Sequence, residues 1–425
     1  RDGSSVFGDG HQWGYFPSIS GAWNITEEKF MEGLKESLSL SNLKLRIGYG
    51  VSGNALGFGA YSAVATYGAN GTIISIGGKD YPTLVSTKLA NPDLKWEKTG
   101  MLNIGLDYAF FNGRLNGSIE YYNKVTKDLI WNYPVTSFLY PFSTISANVG
   151  EITNRGIEIS INAIPVQNKN FTWTTTLNLS HNKNKVNKLT NEKFSTASFT
   201  QGDPMVAGVS AEGYTQQIME GEPLGTFFTY EFAGYDEDGT SVYYEHDAET
   251  GARTGTTTKA PKFKDRAVTG CAQPKLNMGW NNTFSYKNWS ASFFFTGVFG
   301  NKIYNGLRAH YTAPDFFAGG KNVLKEFITE RPATDKSSNV PSDKFIENGS
   351  YVRLQNLTLG YTFRNLDGWL NSLQLYVTAN NLFTITGYKG LDPEVNLGGI
   401  DPGVDYRWSN YPHTRTIMLC AKINF

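Results

Sequence analysis

The sequence predicts an all-β chain: a transmembrane antiparallel β-barrel wall with long extracellular loops and short periplasmic turns. Three observations predict it. Apolar and polar residues alternate with a period of two, short and long connections alternate, and aromatic residues gather at one end of the strands. In 157–163, Ile157, Ile159, Ile161 and Ala163 alternate with Glu158, Ser160 and Asn162. In 171–180, Phe171, Trp173, Thr175, Leu177 and Leu179 share one parity, and every even position is Thr, Asn or Ser. The last segment sets Ile417, Leu419, Ala421, Ile423 and Phe425 against Thr416, Met418, Cys420, Lys422 and Asn424. Successive side chains of a strand point to opposite faces, so each segment has one apolar and one polar wall.

The same pattern, bounded by turn residues, places strands at 13–25, 43–50, 96–110, 114–131, 149–165, 171–186, 224–232, 241–245, 275–286, 289–299, 351–363, 373–385 and 413–425. That is about thirteen strands. Short amphipathic helices are expected at 27–37 and 321–329, and neither could carry a core. Phe111-Asn112-Gly113 reads as a tight turn, because Asn-Gly tolerates positive φ. Connections at 166–170, 286–288 and 365–371 are also short, whereas 51–95, 132–148, 187–223, 301–350 and 386–412 are long. A sandwich gives no reason for that asymmetry; an outer-membrane barrel does. With short turns at the periplasm, the last strand descends. Strands 224–232 and 275–286 then both descend, which requires the brief segment 241–245 to ascend between them.

Trp23, Tyr108, Phe110, Phe171, Trp173, Phe284, Tyr286, Trp289, Phe363 and Phe425 all lie beside the connections assigned to the periplasm. Amphipathic rings collect at the membrane–water boundary. Composition agrees. The 425 residues carry 38 basic and 38 acidic side chains, so no field points to nucleic acid. Mean hydropathy is -0.35. No stretch of about twenty apolar residues offers a transmembrane helix, but barrel strands are only half apolar. Cys271 and Cys420 read as two isolated structural thiols. The chain opens on Arg1-Asp2-Gly3, without a leader pattern, and reads as mid-protein sequence.

Motifs for chemistry are weak. Gly48-Tyr49-Gly50-Val51-Ser52-Gly53 matches a dinucleotide fingerprint, but Lys44 and Arg46 interrupt the strand before it and no helical stripe follows. Small residues that let the chain leave the barrel rim are the better reading. Asp236-Glu237-Asp238-Gly239 reads as a β-turn, since the closing Glu of a calcium loop is missing. Asp392, Glu394, Asp401 and Asp405 read as a solvated acidic loop, and the five His are scattered. Lys44, Arg46, Asp107, Glu120, Glu158 and Lys422 fall on the lumenal parity. No catalytic group, metal site or cofactor is expected. Aromatic loop clusters are the candidate ligand contacts: Trp131, Tyr133, Phe138, Tyr140 and Phe142 in one loop, and Tyr311, Phe316 and Phe317 in another. Exposed rings stack on sugars or grip peptides; they also pack loops.

Segments 43–54 (LKLRIGYGVSGN), 91–99 (NPDLKWEKT), 103–107 with 111–122 (NIGLD and FNGRLNGSIEYY), 148–159 (NVGEITNRGIEI), 351–363 (YVRLQNLTLGYTF) and 376–394 (YVTANNLFTITGYKGLDPE) resemble the SusC/RagA family of TonB-dependent outer-membrane transporters. The resemblance runs over nearly the whole chain. It implies a barrel of about twenty-two strands. Residues 1–425 would be its C-terminal part, with about nine strands, the plug and the TonB box outside this chain. It also implies active import of glycans or peptides, a SusD-like surface lipoprotein as partner, the TonB complex as energy source, a dimer of such pairs, and outer-membrane lipid around the wall. Two other readings compete on the residues alone: a passive porin-like or assembly barrel, and a secreted β-rich glycan-binding protein.

Overall fold

The computed structural model describes the chain except residues 56–58, 60, 136–143, 192–195, 197, 202–212, 336–338, 365–369, 396–397, 407–410 and 425. Eleven strands form one antiparallel sheet: β1 (Ser18–Asn24), β2 (Leu40–Asn54), β3 (Glu97–Phe110), β4 (Leu115–Pro134), β5 (Thr144–Gln167), β6 (Phe171–Lys188), β7 (Leu276–Tyr286), β8 (Trp289–Phe299), β9 (Tyr351–Arg364), β10 (Ser372–Thr386) and β11 (Thr416–Asn424). Spatial order equals chain order, so every strand pairs with its sequence neighbours. The sheet is open, with β1 and β11 at its edges.

Register puts the apolar parity of all strands on one face. Leu45 pairs with Leu106, Ile119 with Ile159, Ile161 with Leu177, Leu177 with Trp280 and Val377 with Leu419. These side chains are not covered by a core: Leu419 is 79% exposed and Ile19 76%. A contiguous apolar face of this extent is unstable in water and stable in lipid. The opposite face carries Ser, Thr, Asn, Arg and Glu.

At the periplasmic end, Phe111 and Asn112 take positive φ (53° and 54°) and Gly113 follows at 81°, which closes β3 onto β4. The aromatic belt is continuous by register, from Phe171 to Tyr286, Trp289 and Tyr361. Trp173 stacks on Phe284 at 5.8 Å, and Trp289 meets Tyr361 at 4.8 Å. Phe425 and the turn at 365–369 lie outside the described residues.

Two expected wall strands are not in the wall. Segment 224–232 instead supplies Thr226–Tyr230 to a four-stranded sheet with Ser198–Gln201, Gln216–Met219 and Arg266–Cys271. Segment 241–245 becomes Ser241–His246, between Phe232–Tyr235 and Arg253–Thr258. These strands are too short to cross a bilayer, which needs about nine to eleven residues. β6 pairs directly with β7, so residues between Lys188 and Leu276 form one extracellular excursion and no extra ascending strand is needed. The described wall therefore has eleven strands, not about thirteen. A hairpin, Thr66–Ile76 with Lys79–Lys88, also projects from the β2–β3 loop and turns on Gly77 and Gly78, both at positive φ.

The helix expected at 27–37 appears as two short 3₁₀ turns followed by Glu32–Ser37, and the one at 321–329 as Lys325–Thr329. Asp236–Gly239 is a turn: Gly239 N–H donates to the Asp236 carbonyl, and Lys259 pairs with Asp236 at 2.5 Å. The glycine-rich run stays inside β2. A Cβ at Gly53 would sit 2.1 Å from the Phe16 ring, so that glycine admits an aromatic side chain, not a phosphate.

Candidate functional site: the lumenal face and the extracellular assembly

The polar face of β2–β5 holds a charged network. Arg46 donates to both carboxylate oxygens of Asp107 and to Glu120, each at 2.8 Å. Glu158 stands opposite Glu120 in register. Two adjacent carboxylates repel, and the guanidinium fork offsets this by bridging Glu120 to Asp107. Beside them lies a recess of about 470 Å³ lined by Ser118, Glu120, Glu158, Ser160, Asn178 and Ser180. Such a surface offers donors and acceptors to hydroxyls and amides.

Above the wall, the long loops fold onto one another. Phe227, Ala272, Tyr304, Ala309, Phe345 and Val404, from three separate loops, share a buried core. Val404–Asp405 of the β10–β11 loop pairs in parallel with Lys302–Asn305 of the β8–β9 loop. Charged staples hold the rest. Arg308 donates to Glu326 at 2.7 Å and lies 3.3 Å from Glu347. Arg353, at the top of β9 and almost fully buried, pairs with Asp392 and Glu394, and His413 meets Asp392 at 3.0 Å.

Asp392, Glu394 and His413 could converge on a metal ion, yet the Arg353 guanidinium already supplies the cation there. Burial raises the Asp392 carboxyl, but backbone N–H groups of His413 and Glu394 and the Arg353 fork outweigh it, so its pKa lies below the usual range. Burial, with Arg331 and Arg308 nearby, pushes the Lys344 ammonium down to about 8. Asp401 accepts from Tyr406 and Asp405 from Tyr388, so the expected solvated acidic loop is an ordered hydrogen-bonded one.

The expected ligand-contact rings occupy two separate settings. Trp131 and the buried Tyr133 both pack on Phe199, at 5.6 and 5.7 Å. Tyr311 and Phe316 pack edge to face at 5.2 Å beside His310. Phe317 is 55% exposed, with one side against Phe327 at 5.3 Å. Phe138, Tyr140 and Phe142 lie outside the described residues. Among those described, no ring contact joins the two groups. Arg353 and its partners were not among the expected site residues. The available signal was a lone Arg near a strand end on the same parity as Leu357, Leu359 and Phe363, where a lipid-facing strand should carry no charge.

The resemblance-bearing motifs turn out to be clasps. Asn91 donates to the Ser146 carbonyl at 2.7 Å, and Asn148 donates to the carbonyls of Lys95 and Asp128 at 2.8 Å. Trp96 donates to the Gln12 carbonyl and packs against Phe7 at 5.0 Å. Glu97 accepts from Asn54 and from the Ile130 N–H, both at 2.8 Å.

An apolar outer face, a polar inner face, short turns below and folded loops above together define the wall of an outer-membrane β-barrel. Residues 1–382 match the family profile described as TonB dependent receptor-like, beta-barrel. Over 100% of its length the chain is 32% identical to TonB-dependent receptor P3 of Formosa agariphila, covering 43% of it. It is likewise 32% identical to TonB-dependent receptor SusC of Bacteroides thetaiotaomicron, covering 41% of it. The fold matches the structure of the RagAB peptide transporter with a TM-score of 0.80 at 25% identity, over all of this chain and 45% of that one. The chain belongs to the TonB-dependent receptor β-barrel family. It spans less than half the length of these relatives.

Proposed function

We propose that this chain forms the C-terminal wall and extracellular rim of an outer-membrane importer for oligosaccharides or peptides. The observation that carries the reading is the pairing of a hydrogen-bonding lumenal face with loops folded into a rigid platform above it. A passive pore needs no such platform; a receptor that holds cargo or a lid does. The open sheet edges, and relatives about twice as long, support further strands pairing with β1 and β11 and a plug domain from outside this chain. Import would then use the SusD-like lipoprotein as lid, in a dimer of such pairs, and the TonB complex for energy. Cargo contact would come from the loop aromatics, foremost the exposed Phe317, with Trp131, Tyr133, Phe138, Tyr140, Phe142, Tyr311 and Phe316 shaping the rim. Binding and release involve no covalent step.

The test is uptake of labelled oligosaccharides and oligopeptides by cells carrying the full-length protein, with and without an uncoupler. Accumulation that stops when the proton gradient collapses supports energised import. Accumulation that continues unchanged identifies a passive barrel.

A further inference from the structure

On the outward face of β5 and β6 the side chains change character at a sharp line. On β6 they run Leu177, Leu179, His181, Lys183, Lys185 toward the extracellular end. On β5 the register partners run Ile161, Ile159, Ile157, Arg155, Thr153. Asn182 and Asn184 bond Asn154 on the lumenal side, so Lys183 and Lys185 point away from the lumen. From Phe171 at the periplasmic turn to His181 the strand rises about 3.3 Å per residue. At a tilt of 35–45° that is about 25 Å, the height of a barrel's apolar band. Arg155 and Lys183 therefore stand where the outer-leaflet headgroups begin.

The β6–β7 ladder ends at Ser180–Asn277. Above it the two chains part around a cleft of about 850 Å³. Arg155, Lys183, Lys185, Lys275 and Lys302 line it, with His181, against a single carboxylate, Glu222. Among the described residues none of the five cations has an ion-pair partner, whereas further round the rim Lys95 pairs with Asp128 at 3.0 Å and Lys127 with Glu151 at 3.8 Å. Uncompensated cations beside an apolar band at headgroup depth are the chemistry that recognises lipid phosphate. A guanidinium adds a fork that grips two phosphate oxygens.

We propose that this cleft binds the phosphate of an outer-leaflet glycolipid, whose acyl chains lie along Ile157, Ile159 and Leu179. Asn182 and Asn184 also line the cleft from the lumenal side, so the proposal concerns its outward-pointing cations on β5 and β6 and stands independently of the cargo.

The test uses the full-length protein in detergent and native mass spectrometry. The probe is lipopolysaccharide with its lipid A phosphates, or the same material after phosphate removal. Wild type should retain the phosphorylated form at least tenfold better. The variant Arg155→Gln/Lys183→Gln/Lys185→Gln should lose that preference, and Lys127→Gln should keep it. Heat-modifiable gel mobility reports whether the triple variant assembles. Should it not, Lys275→Gln/Lys302→Gln, outside the wall strands, must show the same loss. Equal retention of both lipid forms by wild type overturns the proposal. So does an undiminished preference in the variants, or full displacement by inorganic phosphate at equal concentration, which would indicate a site for the free ion. Loss of the surface lipoprotein alone, with lipid retention unchanged, would assign the cleft to a protein partner and also overturn it.

Discussion

In the wall, large apolar side chains point outward and stay exposed; in the extracellular assembly they point inward at one another. Leu419 and Ile19 are mostly uncovered, while Phe227 and Tyr304 are fully buried. One chain thus obeys two solvents. The wall is held by backbone ladders between neighbouring strands, the pairing a bilayer demands, with the outer edges of β1 and β11 left open. The loops above it, bathed in water, need an ordinary core and paired charges. One continuous β chain is thus a lipid-solvated half supporting a water-solvated one.

Emptying the loop core should separate the two most strongly. Phe227→Ala should cost the extracellular assembly about 3–5 kcal/mol. Hydrogen exchange in Gln216–Tyr230 should accelerate while heat-modifiable mobility of the wall stays unchanged. Joint loss of both would show that the halves fold as one. Next comes the wall itself. Leu177→Arg, on the lipid face, should impair assembly by about 2–4 kcal/mol. Thr176→Arg, one residue away on the lumenal face, should be tolerated. Equal damage on refolding into vesicles would break the assignment of faces.

The smallest effect is a pH dependence confined to the loops. The folded Lys344 titrates near 8. A free Lys titrates near 10.4, so the unfolded loop binds more protons between those values. Burial of the cation costs stability below pH about 8, and that cost fades as pH rises toward 10.4. Opening of the amides around Phe232 and Asp343, followed by exchange and corrected for intrinsic rates, should therefore slow across this window in wild type. Lys344→Met should remove the slowing, and an identical pH profile in both proteins would refute it.

Much of the wall could be read from local pattern, because alternation and turn length are local properties. The segments 224–232 and 241–245 share the same local period as wall strands, and only their pairing partners, far along the chain, distinguish them. The Thr66–Lys88 hairpin did carry a readable sign, Gly77-Gly78 between two strand-like runs. The site was harder. The Arg353 cluster joins a strand end to residues some forty positions later, across a bulge in β9 and β10 that local pattern does not reveal. Trp131 and Tyr133 have the composition of contact residues, but burial against Phe199 is a property of three separate segments. The cationic cleft shows the same division. Lys183 and Lys185 share a parity with Leu177 and Leu179, while Lys275 and Lys302 reach them only through folding.

Because spatial order equals chain order, forming the wall is a series of hairpin closures of very unequal difficulty. Each doubling of a loop adds about 0.6 kcal/mol of closure entropy. A four-residue turn joins β3 to β4, but β6 must find β7 across the whole excursion from Lys188 to Leu276. That seam bears the largest entropic cost in the described wall, and its two rims are those that part above Ser180 and Asn277.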